Sequence, residues 1–124
     1  MKALVIDDSR VVRLIAGRAL QALGFDVTEA CDGRDALDKI EAAAELPALA
    51  LVDWNMPVMT GIEFVEEVRK NQAYDAIRLV MLTTETSVDH IALALSKGAN
   101  EYLMKPFDED ALNEKLSIVG LKTS

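Results

Sequence analysis

Short runs of branched apolar residues alternate five times with longer segments whose apolar residues return every three or four positions. A strand buried on both faces is apolar throughout, whereas a helix packed on one side is apolar along a stripe. The alternation therefore predicts an α/β protein, a parallel sheet covered by helices on both faces. Residues 2–7 read as the first strand. Ser9 then caps a helix whose buried side is marked by Val12, Ile15, Ala19 and Leu23, and Gly24 ends it. Residues 25–29 form the second strand, Asp32 and Gly33 turn the chain, and Ala36, Leu37 and Ile40 line the next helix up to Pro47.

The apolar run 48–52 suits a central strand and delivers Asp53 at its C-terminal end. A loop from Pro57 to Gly61 leads into a helix with Ile62, Val65 and Val68 facing inward. Residues 77–82 form the fourth strand and residues 87–97 the fourth helix, with Ile91 and Leu95 in the core and Gly98 at its end. Residues 101–104 make a short fifth strand, and the last helix spans about 108–119. No linker or low-complexity tract divides these units, so one domain over residues 1–124, without an output domain, is expected.

A chain of 124 residues with 51% apolar and 27% charged residues has enough material for one continuous core. Its formal charge of −8 repels a phosphate backbone, which argues against nucleic acid as a direct partner. Cys31 is the only cysteine, so an internal disulfide and a cysteine-cluster metal site are excluded. No signal peptide is visible and no apolar stretch reaches the roughly 18 residues a membrane span needs. A cytoplasmic protein is the expectation.

Ligands of open parallel sheets bind outside the carboxyl ends of the strands. Asp7 and Asp8 end the first strand here, Asp53 the third and Thr83 and Thr84 the fourth, while Lys105 follows the fifth. Residues distant in sequence thus converge on one edge. Any single strand-end aspartate reads more readily as a turn former or helix cap; the set on successive strands does not. Two carboxylates 4 Å apart repel by about 4 kcal/mol at an effective dielectric near 20. Three of them call for a cation, and an all-oxygen ligand set suits Mg²⁺ better than Zn²⁺.

The segments V-I-D-D-S-R at Val5 to Arg10, D-W-N-M-P-V-M-T-G at Asp53 to Gly61, L-T-T-E at Leu82 to Glu85 and Y-L-M-K-P-F at Tyr102 to Phe107 carry a resemblance over the whole chain. The chain resembles the response-regulator receiver domains, most closely their single-domain chemotaxis members. That resemblance implies a flavodoxin-like (βα)5 doubly wound sheet with strand order 2-1-3-4-5. It implies Asp53 as phosphoryl acceptor, with Mg²⁺ held by Asp8, Asp53 and the carbonyl of Asn55 and with Asp7 acting through water. Lys105 would pair with the acceptor or a phosphoryl oxygen, Thr83 would bind the new phosphoryl group, and Tyr102 would turn into the space Thr83 vacates. A cis Lys105–Pro106 bond, Asn55 and Glu85 as tuners of dephosphorylation, and a partner face including His90, Lys97, Tyr102 and Lys115 complete the set. Thr84 departs from the family, which usually has Ala or Gly there, and puts the reaction rates in question.

The implied partners are a histidine kinase or histidine phosphotransfer protein upstream and a flagellar switch or other protein downstream, met by a monomer. A phosphorelay intermediate or a cell-cycle or stress regulator shares every one of these residues and remains open. A turnover phosphohydrolase with an aspartyl nucleophile would normally carry an acid two places after it, where this chain has Asn55. A flavodoxin would need a hydroxyl- and glycine-rich loop where Asp8-Ser9-Arg10 stands.

Overall fold

The structure, a computed structural model, describes residues 1–84 and 88–121. Five parallel strands, β1 (Lys2–Ile6), β2 (Asp26–Ala30), β3 (Leu49–Asp53), β4 (Arg78–Thr83) and β5 (Glu101–Met104), form one sheet in the order β2-β1-β3-β4-β5. The helices between and after them are α1 (Arg10–Ala22), α2 (Gly33–Ala42), α3 (Gly61–Arg69), α4 (Val88–Lys97) and α5 (Glu109–Ile118). The expected architecture and strand order are both present. Ser87, the expected start of the fourth helix, lies outside the described residues.

Three strands sit one residue later than the apolar runs suggest. Phe25 and Ile77 are buried but precede the ladder, whereas Asp53 and Thr83 still pair, with Leu82 and Met104. A buried apolar residue need not be a paired one, and a polar residue at a strand end can be. The shift brings Asp53 and Thr83 inside the rigid sheet.

Alternation along the strands splits the core in two. Ala3 and Val5, Leu49 and Leu51, and Val80 and Leu82 pack with Ala16, Leu20, Leu112 and Leu116 of α1 and α5. Leu4 and Ile6, Ala50 and Val52, and Leu79 and Met81 pack with Ile40, Phe64, Val65, Val68 and Ala94 of α2, α3 and α4. Phe64, which the spacing did not single out, is fully buried.

Two helical stripes differ from expectation. In α1 the buried positions are Ala16, Gly17 and Leu20, continued by Leu23, while Ile15 is 54% exposed and Val12 and Ala19 are half-buried. Apolar residues lie on both sides of this helix, and the small ones face the sheet because they permit close approach: a Cβ on Gly17 would stand 3.5 Å from Val27. In α4 the buried residue is Ala94; Ile91 is half-buried and Leu95 is 42% exposed. Gly24 and Gly98 end their helices with φ of 97° and 118°, as expected of left-handed C′ residues.

The C-terminal end of α3 is tied to the segments that flank β4 by Arg69. Its Nε donates to Gly98 O (3.0 Å), Nη1 to Tyr74 O (3.1 Å), and Nη2 to Ile77 O (2.8 Å) and Asn100 Oδ1 (3.0 Å). Asn100 Oδ1 also accepts from Leu79 N at 2.8 Å, so one guanidinium joins α3, β4 and the α4–β5 connection.

Candidate phosphoryl-acceptor site

Each acidic residue of the cluster is set by its strand. Asp7 extends β1 by donating its N–H to Ala30 O (3.1 Å). Its side chain is then fixed at both ends: Oδ1 accepts from Ser9 N (2.8 Å), the cap of α1, and Oδ2 from Lys105 Nζ (3.0 Å). Asp53 closes β3, and Trp54 N donates to Leu82 O to hold the strand end against β4. Lys105 continues the ladder by bonding its N–H to Thr83 O (2.8 Å), which sends its ammonium back over the sheet edge to Asp53 Oδ1 at 2.8 Å.

Side-chain oxygens of Asp7, Asp8 and Asp53 all lie within 4.8 Å of one another. Asp7 and Asp53 are buried and Asp8 is exposed. Burial pushes the Asp53 carboxyl above its ordinary range; the Lys105 hydrogen bond opposes this, and the neighbouring Asp7 charge adds to it. Burial acts to lower Lys105, but hydrogen bonds to Asp53 and Asp7 outweigh it and raise the group, so the ammonium stays charged. Lys105 bonds two of the three carboxylates, Asp7 and Asp53. The oxygen-only donors, the uncompensated negative charge and the water-exposed Asp8 together fit a hard divalent cation such as Mg²⁺.

Two positioning residues escape the sequence reading. Gly61 opens α3 directly against Asp53, where a Cβ would stand 2.4 Å from the Asp53 carbonyl oxygen. The Thr60–Glu63 capping box that starts this helix is visible in the sequence as T-x-x-E, but the close approach is not. Arg13 donates from Nη1 to Asp7 O (2.6 Å) and from Nε to Glu29 Oε1 (3.0 Å), bracing the peptide between the two acids.

Around the cluster, Thr83 is buried at the end of β4, Thr84 and Asn55 are exposed, and the Lys105–Pro106 bond is cis. Glu85 lies outside the described residues. The four residues of the expected partner face have these contacts. Lys115 lies against Tyr102, whereas Lys97 approaches Glu66 of α3 (3.9 Å) and His90 sets its ring edge-on to Trp54, centroids 5.7 Å apart. A cavity of about 320 Å³ at the opposite end of the sheet, lined by Lys2, Leu4, Thr28, Ile40 and Pro47, contains none of these residues.

The chain matches the family model described as response regulator receiver domain over residues 3–117. It is 42% identical over 120 residues to chemotaxis protein CheY1 of Helicobacter pylori, covering 96% of each chain. It is 41% identical to a chemotaxis protein CheY homolog of Campylobacter jejuni, covering 96% of this chain and 92% of the relative. Among solved structures, chemotaxis protein CheY4 of Vibrio cholerae superposes with a TM-score of 0.87 at 41% identity, covering 95% and 97% of the two chains.

Proposed function

The chain belongs to the response-regulator receiver family, and from that premise we propose that it is a stand-alone switch whose Asp53 accepts a phosphoryl group from a histidine-phosphorylated partner. Family members are signalling proteins and not turnover enzymes. The observation that carries the reading is the placement of Asp53: it ends the central strand, 2.8 Å from Lys105 and within 4.8 Å of two further carboxylates.

In the proposed step an ionised Asp53 oxygen attacks phosphorus. The P–N bond breaks, its electron pair leaves with the imidazole nitrogen, and an acyl phosphate remains on Asp53. Attack by water later returns the carboxylate and inorganic phosphate. No general base is needed for the first step, because the nucleophile has already lost its proton. Lys105 supplies a fixed positive charge beside the acceptor. Bound Mg²⁺, held by Asp8, Asp53 and the Asn55 carbonyl with Asp7 acting through water, would offset negative charge on the transferring group.

Thr83 receives the phosphoryl oxygens and Tyr102 changes setting in response, altering the face that also includes His90, Lys97 and Lys115. Asn55 and Glu85 tune the lifetime of the acyl phosphate beside the attacking water, and Thr84 crowds the phosphoryl pocket. The likeness to chemotaxis proteins of three organisms supports a cytoplasmic role in flagellar control, with a histidine kinase upstream and a flagellar switch protein downstream.

Trp54, next to Asp53, provides the test. Its emission is expected to change on addition of Mg²⁺ and again on addition of beryllofluoride, and beryllofluoride is expected to strengthen binding to a purified flagellar switch protein. A flat response to both additions overturns the site. A response that strengthens binding to a histidine phosphotransfer protein alone replaces motor control with a relay.

A further inference from the structure

Lys115 on α5 places its Nζ 4.2 Å from the centroid of the Tyr102 ring. The same ammonium lies 3.4 Å from Glu101 Oε1, in a pair whose side chains are only 22% and 17% exposed. Glu101 Oε1 also accepts a hydrogen bond from Tyr102 N at 3.0 Å. The three residues form a closed unit. The carboxylate is tied to the main chain of Tyr102, the carboxylate holds the ammonium, and the ammonium covers the ring.

We propose that Lys115 is the positioning residue that sets the resting orientation of Tyr102, with Glu101 as its anchor. The inference rests on the reading of Tyr102 as a side chain that changes setting on activation. A cation is attracted to an aromatic ring only while the ring presents its face. β5 is the edge strand of the sheet and Tyr102 is half-buried on it, so the ring has room to turn. Turning away from Lys115 forfeits the attraction, whichever way the ring goes. The partial exclusion of water from the Glu101–Lys115 pair keeps the ammonium in place, where a freely solvated lysine would sample other positions. Lys115 therefore holds back the activated state, and its removal raises the activated fraction by about two- to five-fold.

The test uses the full chain labelled with fluorotyrosine, which carries two tyrosines, Tyr74 and Tyr102. Fluorine NMR follows Tyr102, with Tyr74 as a control for intact folding, and Trp54 emission reports beryllofluoride binding in the presence of Mg²⁺. In Lys115→Met and Glu101→Gln the resting Tyr102 signal is expected to move toward the position it takes in the beryllofluoride-bound wild type. Lys115→Met is expected to bind beryllofluoride about two- to five-fold more tightly. Lys115→Arg, which keeps a cation over the ring, is expected to restore wild-type behaviour. A responsive wild-type signal combined with unchanged or weaker binding in Lys115→Met overturns the role of Lys115 alone. A wild-type Tyr102 signal that ignores bound beryllofluoride overturns the switch reading and this inference with it.

Discussion

Gly61 meets the main-chain oxygen of Asp53 so closely that a Cβ would lie 2.4 Å from that oxygen and 2.8 Å from Met81 Cε. Gly61 N also donates to Trp54 O at 3.2 Å, so the first turn of α3 is closed directly onto the end of β3. Backbone cannot retreat as a flexible side chain can. Gly61→Ala is predicted to cost about 1–3 kcal/mol by forced displacement, read by denaturant unfolding, and to lower the labelling of Asp53 by a small phosphodonor. Wild-type stability in this variant would show that the strand end yields freely.

Asp53 itself makes the fold pH-dependent. Burial first, and the Asp7 charge with it, raise its pKa above the unfolded value despite the Lys105 bond. The folded chain then keeps a proton at pH values where the unfolded chain has released it, so this group lowers stability as pH rises through its folded pKa. Asp53→Asn removes that loss. The variant is predicted to be more stable than the wild type at neutral pH, with the difference shrinking as the pH falls into the ordinary carboxylate range. Mg²⁺ at ten times its Kd is predicted to stabilise the wild type by about 1.4 kcal/mol, and the variant less. Thermal unfolding across pH, with and without the ion, measures both.

Lys105 and a cation bound at the acidic cluster would draw on the same two carboxylates, Asp7 and Asp53. Lys105→Met leaves Asp7 and Asp53 without their ammonium partner, at 3.0 and 2.8 Å in the present structure. Loss of one member of a largely buried pair costs about 3 kcal/mol. The emptied charge position is predicted to tighten Mg²⁺ binding even as labelling of Asp53 falls. A Trp54 titration that finds weaker Mg²⁺ binding contradicts this account of the electrostatics.

Val58 is held at φ 69°, with Met59 N donating to Pro57 O at 2.7 Å across it. The result is a three-residue turn in a region that a β-branched residue strongly disfavours. Its side chain is 81% exposed, so nothing buried is lost on replacement. Val58→Gly, which has no Cβ to strain at positive φ, is predicted to stabilise the protein by about 0.5–1 kcal/mol, seen as a higher midpoint in denaturant.

The alternation of strand and helix patterns made the sheet legible, and strand-end Asp7, Asp53, Thr83 and Lys105 were legible because each interrupts or follows an apolar run. The buried side of α1 was not. Val11, Leu14 and Ile15 are exposed although apolar, and Ala16 and Gly17 are buried although small, because backbone approach to β2 rewards small volume. Arg13 and Arg69 were hidden for another reason. Their partners are mostly main-chain carbonyls, which every residue carries, and for Arg69 they reach 29 positions away at Gly98. The Trp54–His90 contact likewise joins residues of two elements that no spacing rule relates.

The decisive measurement is incubation with acetyl phosphate and Mg²⁺ followed by intact-mass and peptide analysis. One added phosphoryl group is predicted, located on Asp53 and abolished by Asp53→Asn and by removal of Mg²⁺. Undiminished labelling of the Asn variant, or a modified site elsewhere in the chain, would contradict that assignment.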